Sequence, residues 1–413
     1  MDKQIFAALE ITDHEVRLIV GEFFNTRFNI IKVERVLCTG LNNYKIESED
    51  EVIDAIKKAV LNASKKIGAP IKRVLLAIPS VNVHRYPLKV TTKVESIDHM
   101  VTAIDIQRAR KKASSTRIDD ELALIQTVCV KYTCNGIATR RIPLNERCDM
   151  LTIDIDLLCV DREIAFGIVG CVEKAGLEVL DVCLDSFAIA KEAAMFEQTV
   201  GQSVIVMNVS RENSTLALLA KGKLIHCDIL NHGVNRWIQD VQSQVDLPTE
   251  IAAKVIKSNA RFDGEKQSDY PVYVWTEGTD THTLSEKEIS EMIQGNVQLW
   301  VKEIKEKCLP ILEAERTVVV LTGEGSEVQG LPYLLEKELE TEVRVYVPET
   351  LGVRTGDLVA CLGLFFAYKD QLPILGYFDN SVDIHAFEQT VRYRVEEEAE
   401  EESLTKKLKG MLF

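Results

Sequence analysis

The hydrophobic pattern at the start of the chain predicts three consecutive antiparallel strands. Apolar and β-branched side chains fill residues 5–11 and 16–22, and the polar residues 12–15 separate the two runs, as in a β-hairpin. A third run of the same kind, residues 28–37, extends the hairpin. The chain therefore opens with strands joined by short turns.

A helix and a buried strand are predicted next. Between residues 48 and 66 apolar side chains recur at helical spacing, and Ser48 with Glu51 offers a capping box for the start of the helix. Residues 73–78 form a short apolar run, which is typical of a buried strand.

Residues 81–160 mix strand-like runs with one helical stretch near residues 105–114. The strand-like runs are residues 90–94, 124–130 and 151–158. This pattern predicts a small α/β subdomain inserted into the surrounding unit. That unit then continues with a helix over 165–175, a strand over 177–184 and a helix over 186–196.

The plan of the first unit is repeated further along the chain. Strands are predicted at 203–209, 215–220 and 224–230, helices at 233–244, 248–259 and 285–307, and then a strand at 317–321 and a helix after Gly330. Two units that each open with three strands predict a duplicated, two-lobed α/β fold with a ligand cleft between the lobes.

The predicted parts are the first lobe (1–80 and 161–200), the inserted subdomain (81–160), the second lobe (201–230, a helical part 231–310, and 311–356), a helix that closes the first lobe (357–375), an acidic tether (376–402) and an amphipathic helix (403–413).

Composition and charge narrow the class of protein. With 413 residues, 46% of them hydrophobic, the chain can bury the cores of two or more domains. Its 64 acidic residues outnumber its 49 basic ones, so no nucleic-acid partner is expected, because phosphates require a basic surface. The 10 cysteines form no CxxC pair, which indicates reduced thiols and no metal site.

Two observations predict a cytoplasmic location. The N-terminus lacks a basic region followed by an apolar stretch, so no secretory signal is expected. The most apolar run, residues 358–368, is too short to cross a bilayer and is better interpreted as a buried helix.

A strand and a glycine-containing turn, residues 318–326 with the sequence VVVLTGEGS, stand late in the second lobe. Together with Gly330, the segment 232–240 (HGVNRWIQD) and the order of elements, they resemble the actin-like ATPase superfamily and, within it, the FtsA family of bacterial cell-division proteins. The similarity spans nearly the whole chain. It implies a two-lobed actin-like fold, a duplicated ribonuclease H-like arrangement whose cleft takes ATP and Mg²⁺.

The resemblance also implies which residues face the nucleotide. The implied cofactor-binding residues are Thr12, Asp13, His14, Asn208, Ser210, Asn213, Ser214, Gly233, Asn235, Lys257, Gly323, Glu324, Gly325 and Ser326. Asp185 occupies the position of the family's glutamate before a first-lobe helix, where its carboxylate could orient a water molecule as a weak base.

The two phosphate loops depart from the family pattern. A phosphate cradle needs glycines, so that backbone N–H groups can point at the anion, and a carboxylate that holds Mg²⁺ through water. The first loop has no glycine and carries Glu10 where the family has aspartate. In the second loop Asn208 replaces the aspartate, and Ser210, Arg211 and Glu212 replace the glycines. In the turn after residues 318–322, Glu324 also stands where the family has a glycine. The residues leave nucleotide binding open and predict weak or absent ATPase activity.

The last residues carry an amphipathic helical pattern behind an acidic run, residues 396–402. Such a helix lies in the bilayer interface with its lysines near anionic headgroups, and the segment is similar in position and pattern to the FtsA membrane-targeting tail. The predicted membrane-binding residues are Leu404, Lys406, Lys407, Leu408, Lys409, Met411, Leu412 and Phe413. Docking of this helix on its own protein is the alternative.

The resemblance implies a cell-division scaffold that self-associates into filaments on the cytoplasmic face of the membrane at the division site. There it would tether the tubulin-like FtsZ ring by holding the FtsZ C-terminal peptide on the helical part of the second lobe. Near Asn296 the family tends to carry an arginine, and Lys302 and Lys305 are nearby basic candidates. An actin-fold ATPase and a pilus-assembly or chaperone relative outside division are the alternatives.

Overall fold

The structure is a computed structural model that describes residues 3–25, 27–199, 201–264, 267–376 and 379–389. The strands are β1 (Gln4–Ile11), β2 (Glu15–Phe24), β3 (Arg27–Leu37), β4 (Leu41–Asn42), β5 (Lys45–Ile46), β6 (Arg73–Ile78), β7 (His84–Lys93), β8 (Leu122–Cys134), β9 (Ile137–Thr139), β10 (Met150–Asp161), β11 (Glu178–Leu184), β12 (Ser203–Val209), β13 (Ser214–Ala220), β14 (Lys223–Leu230), β15 (Pro271–Glu277), β16 (Asp280–Ser285), β17 (Thr317–Thr322) and β18 (Val343–Val345). The helices are α1 (Glu49–Ile67), α2 (Ala103–Ser114), α3 (Arg162–Lys174), α4 (Asp185–Glu192), α5 (Met195–Gln198), α6 (Val234–Gln242), α7 (Thr249–Asn259), α8 (Glu286–Ala314), α9 (Leu331–Leu339), α10 (Val359–Lys369) and α11 (Leu372–Leu375).

Two sheets of the same design form the centres of the two lobes. The first has the strand order β11-β6-β1-β2-β3 and the second has the order β14-β13-β12-β17-β18. In each, three antiparallel strands are followed by parallel neighbours on the other side of the first strand. Read from opposite ends, the two orders are equivalent, so the predicted duplication is confirmed.

A third sheet belongs to the unit between β6 and α3. Its order is β7-β10-β8-β9, and α2 packs on it. This unit has a small core of its own, which includes Val90, Ile106, Leu151 and Ile153. A small α/β subdomain is thus inserted within the first lobe.

Helix α1 forms as its pattern predicts, but its start differs. Buried side chains at Val52, Ile56 and Ala63 face the sheet, and Gly68 ends the helix with φ 78°, a left-handed conformation that suits glycine. The predicted capping box is wrong, because the Ser48 side chain makes no capping hydrogen bond. Glu51 instead accepts a hydrogen bond from Thr39 Oγ1 at 2.6 Å.

Three further predictions of secondary structure need correction. The helix predicted over residues 186–196 is broken at Ala194, whose φ of 49° interrupts it between α4 and α5. The helix predicted over 285–307 runs on to residue 314 and includes Pro310. The β15–β16 hairpin has no counterpart in the prediction, although the β-branched and aromatic run VYVWT at residues 272–276 is typical of a strand.

The segment after α11 packs on the first lobe rather than extending into solvent. Ser381 donates its backbone N–H to the carbonyl of Ile5 at 2.8 Å, and its Oγ accepts the N–H of Ala7 at 2.7 Å. Phe387 is 5% exposed within the first-lobe core. The prediction of a tether from residue 376 is therefore wrong for residues 379–389.

Helix α10 closes the first lobe and confirms the buried helix predicted over residues 358–368. It packs closely on α4, where a Cβ at Gly363 would lie 2.0 Å from the carbonyl oxygen of Ala188. The first-lobe core also includes Val204 and Ala217 from the second-lobe sheet. The two lobes therefore share an apolar contact.

Within the described ranges no helix is both long and apolar enough to cross a membrane. The acidic run 396–402 and the predicted amphipathic helix 403–413 lie outside the described residues.

A candidate nucleotide site between the lobes

The turns that follow β1 and β12 face each other across the cleft. They occupy equivalent places in the two lobes, since each joins the first two strands of its sheet. Between them is a cavity, called here the cleft cavity. It is lined by Glu10, Ile11, Thr12, Asp13, His14, Tyr44, Ala77, Pro79, Asp185, Asn208, Ser210, Arg211, Glu212 and Asn213. The space that a water molecule can enter is about 30 Å³.

Hydrogen bonds between side chains join the two turns directly. Asn213 donates from Nδ2 to Asp13 Oδ2 at 3.1 Å, and its Oδ1 accepts the hydroxyl of Tyr44 at 2.5 Å. The backbone N–H of Tyr44 donates to Asp13 Oδ1 at 3.1 Å. Burial raises the pKa of Asp13, and the hydrogen bonds from Tyr44 and Asn213 oppose that rise. These three residues form a closed ring of contacts across the cleft.

A buried ion pair covers the second-lobe wall of the cavity. Arg211 is 6% exposed. Its guanidinium meets the Glu324 carboxylate through two contacts, of 2.6 Å from Nη2 and 3.0 Å from Nε. It also contacts Glu250 at 3.3 Å. Burial lowers the pKa of Arg211, but the two carboxylates outweigh it and the pKa is raised.

Carboxyl groups line the first-lobe side. Burial raises the pKa of Glu10 to about 7, although the adjacent Arg17 favours its ionised form. Arg17 lies 3.3 Å from Glu10 and 2.6 Å from Glu15. Burial also raises the pKa of Asp185, against the hydrogen bonds that its carboxylate accepts from Ser80 and Ser186.

His14 is held neutral beside these groups. Burial lowers its pKa to about 3, and the positive charges of Arg17 and Arg211 add to the effect. The imidazole therefore offers no positive charge to an anion near neutral pH.

The glycines of the second lobe are required by close packing of the protein on itself. A Cβ at Gly323, where φ is 89°, would lie 2.4 Å from Asn208 Oδ1. One at Gly325 would lie 2.4 Å from Val209 Cγ1, and one at Gly233 would lie 2.5 Å from the carbonyl oxygen of Ser210. These positions tolerate only glycine because the turn after β12 lies directly against them.

The chain is similar in sequence to known bacterial cell-division proteins. It is 24% identical over 368 residues to the cell division protein FtsA of Bacillus subtilis (strain 168), covering 88% of this chain and 83% of that protein. It is 24% identical over 363 residues to FtsA of Streptococcus pneumoniae serotype 2, covering 84% and 77%. No protein-family model matches.

Solved structures share the fold. A PilM–PilN type IV pilus biogenesis complex aligns with a TM-score of 0.58 at 16% identity, covering 88% of this chain and 98% of the other. MreB5 of Spiroplasma citri bound to AMPPNP aligns with a TM-score of 0.51 at 10% identity, covering 91% and 99%. The chain has an actin-like fold and resembles FtsA. At these identities the structural matches inform on the fold alone.

The fold implied by the FtsA resemblance brings part of the predicted site together. The predicted residues that line the cleft cavity are Thr12, Asp13, His14, Asp185, Asn208, Ser210 and Asn213. Others face the protein: Lys257 pairs with Glu327 at 2.6 Å, and Ser214 donates to the carbonyl of His232 at 2.7 Å. Asn235 donates to Glu212 at 3.1 Å. A role of these residues in binding stays a prediction.

Seven residues that line the cleft cavity were not among the predicted site residues: Glu10, Ile11, Tyr44, Ala77, Pro79, Arg211 and Glu212. Tyr44 and Arg211 make the contacts described above. Tyr44 lies in the turn between β4 and β5 with φ 66°, far along the chain from both loops, and nothing in its sequence context signals a cleft position. Arg211 and Glu324 are both departures from the FtsA pattern. Because one is basic and the other acidic, their joint presence was the sequence signal that could have predicted an ion pair at the cleft.

In this arrangement the space between the two turns has no room for a nucleotide with magnesium. A space of about 30 Å³ admits about two water molecules, at roughly 10 to 15 Å³ each, whereas small-molecule sites span roughly 300 to 1,000 Å³. The carboxylate of Glu10 lies against Arg17, and Asn208 supplies an amide where a metal needs a charge. Within the described ranges, no group of His, Cys, Asp and Glu side chains could hold a metal ion.

Proposed function

We propose that this chain is a cell-division scaffold that polymerises on the cytoplasmic face of the membrane and tethers the FtsZ ring to it. The observation that carries the proposal is the similarity to FtsA over 88% of the chain. The inserted subdomain within the first lobe and the duplicated lobes agree with it. The cleft supports a scaffold rather than an enzyme, because its groups are engaged with one another.

Attachment to lipid is assigned to residues 403–413. Four apolar side chains at roughly 1.5 to 3 kcal/mol each, with about 1 kcal/mol per lysine, oppose an ordering cost of roughly 1 to 2 kcal/mol per residue. A single tail therefore binds weakly. Stable attachment requires many tails in one filament, where each bound tail raises the effective concentration of the next. Polymerisation and membrane binding thus depend on each other.

The partner peptide is assigned to the helical part of the second lobe, formed by α6, α7 and α8. There Asn296 donates to both carboxylate oxygens of Asp240, at 2.9 and 2.8 Å. An amide held in this way offers no charge to an acidic peptide. Recognition then falls to exposed groups nearby such as Lys302 and Lys305, of which Lys305 lies 3.6 Å from Glu338.

Reconstitution on vesicles tests this function. FtsZ filaments are mixed with anionic vesicles and the purified full chain, and the FtsZ that co-sediments with lipid is measured. We expect FtsZ to sediment with lipid only when the full chain is present. A chain that ends at Glu402 should still bind FtsZ in solution and should fail to bring it to lipid.

Leu408→Glu is the matched point variant, since it places a charge on the apolar face without shortening the chain. Lys406→Arg, which keeps the charge, is the control and should behave as the wild type. Equal recovery of FtsZ with the full chain and with the chain ending at Glu402 would rule out the tether. Lipid binding without any FtsZ binding would instead favour the pilus-assembly or chaperone alternative, and steady ATP turnover would favour the actin-fold ATPase.

A further inference from the structure

Hydrogen bonds between the two turns engage side-chain groups of Asp13, Tyr44 and Asn213 that a ligand between the turns would otherwise contact. Asn213 is 1% exposed, and both ends of its amide are bonded to first-lobe residues. Tyr44 contributes its hydroxyl to Asn213 and its backbone N–H to Asp13. Each of the three residues therefore bonds to the other two. Asn213 is buried while Asp13 and Tyr44 are half-buried, and a hydrogen-bonded ring of this kind rigidifies the structure around it.

The charges around this ring disfavour a polyphosphate. The lining carries four carboxyl groups, Glu10, Asp13, Asp185 and Glu212. The guanidinium of Arg211 also lines the cavity, but it already pairs with Glu324 and Glu250. Those of the carboxyl groups that are ionised would repel an entering anion strongly in this desolvated space, and those that are protonated would offer it no positive charge.

The ring also crosses from one lobe to the other. Asp13 and Tyr44 belong to the first lobe, and Asn213 belongs to the turn after β12 in the second. The lobes already share an apolar contact. The hydrogen bonds of Asn213 to Asp13 and Tyr44 add a polar connection between the lobes to that contact.

We propose that Asp13, Tyr44 and Asn213 form a latch that holds the two lobes closed in place of a bound nucleotide. The latch makes the closed form of the monomer the resting form, independent of ATP. It concerns the cleft alone and does not depend on the tail or on any partner.

Hydrogen–deuterium exchange on the full chain tests the latch, with backbone amides of residues 12–14 and 210–214 as the readout. Asn213→Ala removes both cross-lobe bonds, and we expect exchange there to become roughly 5- to 30-fold faster. Tyr44→Phe removes only the hydroxyl and should give a smaller increase of the same sign. Asn62→Ala is the matched control. It removes an asparagine that donates to Glu34 at 2.9 Å within the first lobe, so exchange at the cleft turns should stay as in the wild type.

The second arm adds millimolar ATP with Mg²⁺ to the wild type. A latch predicts exchange at the cleft turns within about twofold of the nucleotide-free value, because a ligand that does not bind stabilises nothing. Strong protection of these amides by ATP with Mg²⁺ would overturn the proposal. So would wild-type exchange in both Asn213→Ala and Tyr44→Phe. If Asn213→Ala fails to fold, Tyr44→Phe alone decides, since removing one hydroxyl leaves the packing unchanged.

Discussion

Arg211 and Glu324 face each other as a buried, two-pronged ion pair, with Nη2 to Oε1 at 2.6 Å and Nε to Oε2 at 3.0 Å. Each of the two stands where the FtsA pattern has a glycine. The two departures therefore compensate for each other: a side chain enters the space beside the turn after β17, and a carboxylate in that turn receives it. Removal of either partner leaves a mostly buried charge with fewer contacts, which costs stability.

Arg211→Ala is expected to lower the free energy of unfolding by roughly 1 to 3 kcal/mol, because it leaves the Glu324 carboxylate partly buried and unpaired. Urea unfolding measures the loss. The double variant Arg211→Ala with Glu324→Ala should recover part of it, since no charge is then left without a partner.

Lys305→Ala is the matched control, because it breaks an ion pair whose two side chains are 44% and 42% exposed. It should change the free energy of unfolding by less than about 0.5 kcal/mol. Equal losses in Arg211→Ala and Lys305→Ala would show that burial of the Arg211 pair has no energetic weight.

The contact between α10 and α4 gives a second prediction. Because a Cβ at Gly363 would lie 2.0 Å from the carbonyl oxygen of Ala188, Gly363→Ala forces the two helices apart. We expect a loss of roughly 1 to 3 kcal/mol in the free energy of unfolding. Gly170→Ala, in α3 with nothing within 4 Å of the added carbon, should instead raise it by about 0.5 to 1 kcal/mol. The same sign of change for both variants would contradict this packing.

The sequence predicted those parts of the fold that depend on the local spacing of apolar residues. Strands β1 and β12 are apolar runs bounded by polar turns, and α10 is apolar on all sides. Their sequences alone therefore predict that they are buried. The duplication followed from the order of such runs. The cleft was only partly predictable, because its contacts join residues remote in sequence. Tyr44 and Asn213 are 169 positions apart, and nothing local links them.

The segment after α11 shows the same limit. Asn380 and Ser381 look like loop residues, yet they supply hydrogen bonds that β1 needs at its free backbone groups. Hydrogen bonds of this kind depend on which residues the fold brings together, and the spacing of apolar residues along the chain does not show this. For that reason the tether was predicted to start too early in the chain.

Two truncations test the packing of that segment. A chain that ends at Gln389 should unfold at the same urea concentration as the full chain, because it keeps Ser381 and Phe387. A chain that ends at Gly376 should lose at least about 2 kcal/mol in the free energy of unfolding, since it exposes the site of Phe387 and leaves the N–H of Ala7 unpaired. Equal stability of the two truncated chains would show that residues 379–389 contribute nothing to the first lobe.

The lowered pKa of His14 makes stability depend on pH. Its neighbours are Arg17 and Arg211, whose positive charges oppose protonation, and Glu15 and Asp357, whose negative charges favour it. In the folded chain the imidazole stays neutral down to a pKa of about 3. In the unfolded chain it binds a proton below its ordinary value of about 6.5. As the pH falls through this window the unfolded chain holds the extra proton, so the free energy of unfolding decreases.

His14→Gln should remove this dependence, because glutamine does not titrate. The slope for one proton is about 1.4 kcal/mol per pH unit, so between about pH 7 and pH 5 the wild type should lose about 2 kcal/mol more than His14→Gln. Urea unfolding of both chains at each pH measures the difference, in which the titration of Glu10 and other shared groups cancels to first order. His226→Gln, which replaces an imidazole that is 58% exposed, serves as the control for loss of a histidine and should follow the wild type. If His14→Gln and the wild type lost stability in parallel as the pH fell, His14 would have to be protonated in the fold, and its position between Arg17 and Arg211 would be incompatible with that result.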